Sequence, residues 1–413
     1  MAYTRTVVAF VVSMSVAAAQ DAVWVVDPVS GPGVDFPSIT AAVAAAAEGD
    51  TILVHSGAYE SFGVNGKSLA ITAESGKTVS VHGGVFIVGL QAGQAVSLQN
   101  FVLQGDPFSA ALNLSNNDGS VWLLDCQLGG YDVPVPTLFD SGTSAMWCSD
   151  CAAVIAKDCV MTGGSSLVGE PAVNADTSTI RLFGSLLLGG AGHCETFGEV
   201  TDCGLSGAAA VVASGVLTAQ SSSFSGGAAA PGAELCLPVV GCSCTTVTEG
   251  GVALSLGLGE PQVQLYDVTL TAGAGAAPCG SEGALVSAVL TGTLESKVGP
   301  GLTLDLDTPE ATGDVGTVTI TGKPNDLVVL LVGQSPANLW LPGWNGALLI
   351  GNSTLVLTVG LIPPTGTFIL LLEGPPLPTG IESVEVLVQA ARKSTAGTLL
   401  ANPARVVLLD ASF

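Results

Sequence analysis

The chain has 413 residues, with 34 acidic against 10 basic side chains and a formal net charge of −24. A field of that sign repels phosphate and polyuronate chains, so neither nucleic acid nor an anionic polymer is expected as a partner. Charged residues make up only 11 % of a composition rich in glycine and apolar residues, which excludes an acidic disordered coil.

Residues 1–19 read as an export signal: Arg5 supplies the positive end, Val7 to Val16 the apolar core, and Ala17 to Ala19 a small-residue cleavage site before Gln20. No later stretch reaches the roughly 18 uninterrupted apolar residues of a membrane helix. The mature chain is therefore expected to be secreted or held at the cell surface, with no membrane span. Asp35 to Glu60 then reads as a short helix feeding a strand. Asp35 or Phe36 opens the helix, Pro37 takes its first position and Gly49 closes it in a left-handed cap. Ile39, Val43 and Ala46 or Ala47 give it one apolar face, and a helix this short must lie on something apolar. Thr51 to His55 is apolar on both faces and reads as a buried strand, followed by a turn at Gly57.

The run Phe36-Pro-Ser-Ile-Thr-Ala-Ala-Val43, with Glu48-Gly-Asp-Thr-Ile-Leu-Val54 and Ser56-Gly-Ala-Tyr59, resembles the opening segment of the right-handed parallel β-helix (pectin-lyase-like) superfamily, secreted bacterial type. That superfamily includes pectin esterases and pectate lyases. The resemblance implies an all-β fold, a right-handed parallel β-helix with an N-terminal capping helix, and leaves activity open because one fold carries many functions.

An internal repeat extends the reading. Taking Leu103, Leu128, Met161, Leu187, Phe224 and Leu270 as equivalent gives steps of 25, 33, 26, 37 and 46 residues. Coils of roughly 20 to 30 residues, some carrying loops, fit a solenoid. The longest step is expected to hold an extra coil or an excursion through Cys236 to Cys244. Two positions earlier, Phe101, Cys126, Cys159, Ser185, Ser222 and Val268 should form an inward ladder, with Cys126 and Cys159 adjacent as a disulfide or as stacked thiols. One position before that ladder stand the turn formers Asn100, Asp125, Asp158, Gly184, Ser221 and Asp267. The ten cysteines of an exported chain favour disulfides, and the CxxC of Cys148 to Cys151 lacks the second pair a zinc site would need.

After Leu290 the texture changes. Residues 291–300 read as a linker between a β-helix domain over 20–290 and a small β-sandwich-like domain over 301–413. In the latter, short strands are expected at Val315 to Ile320, Leu327 to Val332, Ala347 to Ile350, Thr354 to Val359, Thr367 to Leu372 and Val384 to Ala390.

Chemistry is sparse. Asp125 and Asp158, stacked on adjacent coils, have the spacing of an acid-base pair for a glycosidic bond, with Lys157 and Arg181 nearby. The favoured reading is plainer: two solvated aspartates end two turns, and Lys157 offsets their repulsion. The resemblance implies lyase sites built from arginine or lysine, usually with calcium, yet residues 20–290 hold only Lys67, Lys77, Lys157 and Arg181. His55 and His82, in similar strings 27 residues apart, are expected to stack on neighbouring coils and lack a third metal ligand. Asp305, Asp307, Glu310 and Asp314 are dense in oxygen ligands for calcium without the spacing of an EF-hand, so no cofactor is expected. The function expected is that of an exported, non-catalytic structural, adhesion or glycan-binding protein for neutral glycans or surface components. The alternative is a glycoside hydrolase or polysaccharide lyase working across Asp125 and Asp158.

Overall fold

The structure, a computed structural model, describes residues 22–74, 76–133, 142–197, 200–203, 205–229, 234–237, 241–244, 249–275, 283–288, 293–297, 301–307, 315–334, 336–340, 344–345, 347–351, 355–373, 377, 381–394 and 397–410. The export signal expected over 1–19 lies outside them.

From Val23 to Lys297 the chain winds into stacked coils, each contributing to three parallel sheets. The first sheet starts with Val23–Val26, Thr51–Val54, Leu69–Ala73 and Ala95–Gln99, then continues through the C-terminal halves of Leu112–Leu124 and Met146–Lys157 to Ser178–Phe183. The second contains Phe101–Gln104, Gln127–Gly129, Val160–Thr162, Leu186–Leu188, Ser223–Ser225 and Thr269–Thr271. The third takes the N-terminal halves of Leu112–Leu124 and Met146–Lys157 and then Val173–Asp176.

The expected ladder is present residue for residue. Leu103 pairs with Leu128, Leu128 with Met161, Met161 with Leu187, Leu187 with Phe224 and Phe224 with Leu270. Phe101, Cys126, Cys159, Ser185 and Ser222 are buried beside it, and the Cys159 and Ser185 amides donate to the Ser185 and Ser222 hydroxyls on the next coil. Cys126 and Cys159 are adjacent, as the ladder requires, and stand as stacked free thiols rather than a disulfide; the buried Cys148 and Cys151 are free as well. Apolar surroundings push the Cys148, Cys151 and Cys159 thiols up, which suits packing rather than redox chemistry. In backbone register Cys194 stands opposite Cys203, and Cys236 opposite Cys242, in two hairpins that leave the solenoid. The second hairpin is the excursion expected within the longest step.

At the bend from the first sheet to the second, Asn100, Asp125, Asp158, Gly184, Ser221 and Asp267 all adopt left-handed φ between 51° and 62°. Gly and short polar residues reach this region most cheaply, so the bend recurs wherever the sequence supplies one.

The other corner, from the second sheet to the third, is closed by glycine. Gly190 donates to the Glu170 carbonyl, Gly207 to Gly190, Gly227 to Gly207, Gly251 to Gly227 and Gly273 to Gly251, each at 2.8 or 2.9 Å. The relay alternates segments leaving the solenoid with segments returning to it. A Cβ at Gly227 would stand 2.0 Å from the Gly190 oxygen, so no other residue fits.

The capping helix spans Ile39–Ala45 and buries Ile39, Ala42 and Val43 over the first coil. It begins later than expected. Asp35 accepts the Val25 amide and Phe36 bridges to Val26, so the chain stays extended until Ser38, whose hydroxyl caps the Ala41 amide. Gly49 does have φ of 92°, but it lies beyond the Ala46 C-cap, and Lys67 instead closes the helix by donating to the Val43 and Ala46 carbonyls. His55 and His82 do not stack: His55 follows a first-sheet strand and contacts Asp27, whereas His82 pairs with Glu60 and Gln104 on the second sheet. The similar strings belong to different sheets.

The segment expected as a linker is part of the solenoid, because Thr293–Lys297 forms a parallel strand on Leu254–Tyr266. Beyond it, Thr303–Asp307, Val315–Thr321 and Thr367–Glu373 form one antiparallel sheet. Trp344–Asn345, Gly397–Leu409, Ser383–Ser394, Leu327–Gly333 and Leu355–Leu361 form another. Leu304, Val318, Ile320, Val328, Leu330 and Val388 share the core between them.

This second unit lies on the outer face of the first sheet. In register, the outward column Val23, Thr51, Ala70, Ser97, Trp122, Ile155, Arg181 and Thr218 is buried throughout. Trp122, Ile155 and Phe183 pack with Leu331, Leu349, Leu387 and Leu400. The Arg405 guanidinium pairs with Glu385 and sits 5.7 Å from the centre of the Trp122 ring.

Two substitutions separate the glycine corner from the ladder. Met161→Ala, which empties a fully buried site, should cost about 2–5 kcal/mol. Gly227→Ala, which adds one methyl against backbone that cannot yield, should lower the urea midpoint of the full chain at least as far. A silent Gly227→Ala would refute the close approach.

Candidate functional site

Asp125 and Asp158 occupy the left-handed bend on adjacent coils, and each amide donates across to the next coil, to the Lys157 and Phe183 carbonyls. Their carboxylates face a cavity of about 360 Å³ lined by Asp125, Lys157, Asp158, Gln220, Asp305 and Asn402 among others. One wall is the solenoid and the other is the second domain. Gln220 donates to the Leu302 carbonyl, and Asn402 makes two hydrogen bonds with the Leu304 backbone, which fixes that wall.

Lys157 lies at the centre. It is buried, with its Nζ 2.5 Å from Asp158 Oδ2 and 3.7 Å from Asp305 Oδ1. Burial opposes its charge, but the hydrogen bond and the attraction of Asp158, helped by Asp125 and Asp305, win and raise its pKa. Asp125 is raised as well, first by burial and then by Asp158 and Asp305, with Lys157 pulling the other way.

Of the expected site residues, Asp125 and Asp158 therefore do come together, with Lys157 between them and the second domain. Arg181 does not join them. It is held between Ile155 and Thr218 in the covered outward column, where burial lowers its pKa, and it does not line the cavity. Among the expected calcium ligands Asp305 faces the Lys157 ammonium, while Glu310 and Asp314 lie outside the described residues. No cluster of three His, Cys, Asp or Glu positioned for a metal occurs among the described residues.

Sequence reasoning missed a second surface. On the outer face of the third sheet Phe86 pairs with Asn113, Asn113 with Trp147, and Trp147 with Asn174. Phe86 and Trp147 are 40 % and 41 % exposed, so the column is open to solvent. Only the register shows it, since these residues lie about 30 positions apart in the chain.

No family model and no curated protein matches the chain. Among solved structures it is similar to a penultimately deglycosylated pectin methylesterase from Aspergillus niger, with 13 % identity over 68 % of this chain and 87 % of that one and a TM-score of 0.35. It is also similar to a pectate lyase, with 10 % identity over 68 % of this chain and 80 % of that one and a TM-score of 0.36. The fold itself rests on the coil register, which is that of a parallel β-helix, as the opening segment implies.

The cluster has a pH signature. Because the Lys157 pKa is raised on folding, its contribution is complete below the ordinary lysine range near 10.4 and is lost as pH rises through the folded value. Asp125, raised by burial, is destabilising once ionised, and acidification relieves that cost. Lys157→Met should lower stability at neutral pH by about 1–3 kcal/mol, less than a fully buried pair would lose because Asp158 and Asp305 reach solvent. In urea titrations across pH, the deficit should shrink on acidification, and it should also shrink at alkaline pH as the parent's Lys157 loses its proton.

Proposed function

We propose that this is an exported, non-catalytic β-helix protein that acts outside the cell as a structural or adhesive component by binding neutral glycans, without a cofactor. The observation that carries this reading is the position of Lys157. Glycosidic cleavage requires one carboxyl to donate a proton and a second to attack or activate water, both reaching the sugar. Here the cation engages Asp158 and Asp305, and the second domain walls the cavity, so Asp158, one member of the required pair, is committed to a domain seam. Arg181, the other cation of the enzymatic alternative, is covered. The net charge of −24 favours uncharged partners, and the pattern of residues 1–19 supports export.

One observation favours the enzymatic alternative: Asp125 has a raised pKa and faces a cavity, as a general acid does. A panel of neutral and acidic polysaccharides, assayed for reducing ends and unsaturated products, decides between the two. The expected outcome is no turnover. Turnover abolished by Asp125→Asn or Asp158→Asn would establish the enzyme instead.

A further inference from the structure

The outer face of the third sheet presents one column of positions, Gly63, Phe86, Asn113, Trp147 and Asn174, on successive coils. Two large aromatics thus stand two coils apart, at roughly twice the 4.8 Å strand spacing, with an amide between them and another beyond. Phe108 adds a third. It is 95 % exposed at a corner of the intervening coil, on a turn in which Asp106 Oδ1 accepts both the Phe108 amide at 2.8 Å and the Ser109 hydroxyl at 2.9 Å. The Ser109 hydroxyl also lies 3.3 Å from the Gly83 carbonyl, three residues before Phe86. The turn is held by its own hydrogen bonds, so the exposed ring is presented on ordered backbone.

Grouped, exposed aromatics mark a binding surface more often than scattered ones do. A pyranose ring offers an apolar C–H face that stacks on an aromatic ring, while its hydroxyls suit amides. Two coil steps are close to the length of two sugar units in an extended chain, so alternate sugars of one strand can meet Phe86 and Trp147 with Asn113 beneath the sugar between them. Charge narrows the class further. Asp150 and Asp176, both exposed, border the column, and Asp176 lies two residues beyond Asn174 on the same outward side. Carboxylates there oppose uronate or phosphate polymers.

We infer that the Phe86–Trp147 face is a track for one strand of an extended, uncharged polysaccharide, its axis running along the stack of coils. The inference rests on the glycan-binding reading above and assigns it a site.

The test is calorimetric titration of the purified full chain with cellohexaose, xylohexaose and polygalacturonate, repeated with Phe86→Ser/Trp147→Ser and with Trp147→Tyr. The parent should bind a neutral hexasaccharide and ignore polygalacturonate. The double variant should bind at least roughly tenfold more weakly, the scale of lost aromatic contacts, whereas Trp147→Tyr should stay near the parent. Both variants should keep the parent's thermal midpoint, since the replaced rings are half exposed. Neutral-glycan binding that survives the double substitution would overturn the track and leave the glycan-binding reading standing. No binding to either neutral oligosaccharide, or preference for polygalacturonate, would overturn both. Self-association of the parent that the double variant abolishes would assign the face to a second copy of the chain and overturn the track.

Discussion

The distance between one coil and the next governs this molecule. Parallel strands stack about 4.8 Å apart, and every loop that leaves the solenoid must pass two strands of backbone through that rise. The alternating relay of Gly190, Gly207, Gly227, Gly251 and Gly273 solves the problem by removing every Cβ from the passage and letting each amide bond the carbonyl of the next segment. Once the neck is closed this way, the length of the excursion beyond it matters little to the coil, because loop-closure entropy grows only slowly with length. That is why steps as different as 26 and 46 residues keep Met161, Leu187, Phe224 and Leu270 in one column.

The same rise makes side chains from distant residues into neighbours, and the three faces use this differently. The first sheet carries Leu53, Trp122, Ile155 and Phe183 on its outer side among polar residues, so that side has to be covered. The second domain covers it, through Trp122, Ile155 and Phe183 on one side and Leu331, Leu349 and Leu387 on the other. Burying that face also buries Lys157 and Arg181, which would otherwise be solvated surface cations. The attraction of Asp158, with Asp125 and the Asp305 of the second domain, outweighs the cost of burying the Lys157 charge. The acidic bend is thereby drawn into holding the domains together.

Much of the solenoid was legible because its signals are local. The bend formers Asn100, Asp125, Asp158, Ser221 and Asp267 announce a left-handed residue by type, and the apolar position three residues later fixes the ladder. The strand expected at Thr51 to His55 was read as buried on both faces, and it is, for a reason the local string does not contain: its outer side lies under the second domain, with Leu53 against Leu409. In that domain the strands at Val315–Thr321, Leu327–Gly333 and Ala347–Ile350 were visible as apolar runs. Gly397–Leu409 was not. Asn402-Pro403 reads as a breaker, yet Pro403 stands opposite Gln389 beside the register shift of that strand pair, a place where proline is tolerated, while Asn402 bonds the Leu304 backbone across to the other sheet. The fate of Arg181 and the partnership of Lys157 with Asp305 were equally hidden, since both depend on which face the second domain chooses.

That choice also determines which chemistry the surface can offer. With the first sheet covered and Lys157 paired with Asp158 and Asp305, the bend is drawn into the seam. Among the described residues the third sheet has no such cover. It retains Phe86 and Trp147 partly exposed, whereas the large aromatics Phe101, Trp122 and Phe224 are fully buried. Two tryptophans in neighbouring coils, one sealed beneath a domain and one facing water, make the contrast concrete: the covered face uses its aromatic to join domains, and the open face has no partner within the described chain to which its aromatics are committed. On a molecule with a net charge of −24, an aromatic and amide surface is suited to ligands that bring hydroxyls and apolar faces but no charge.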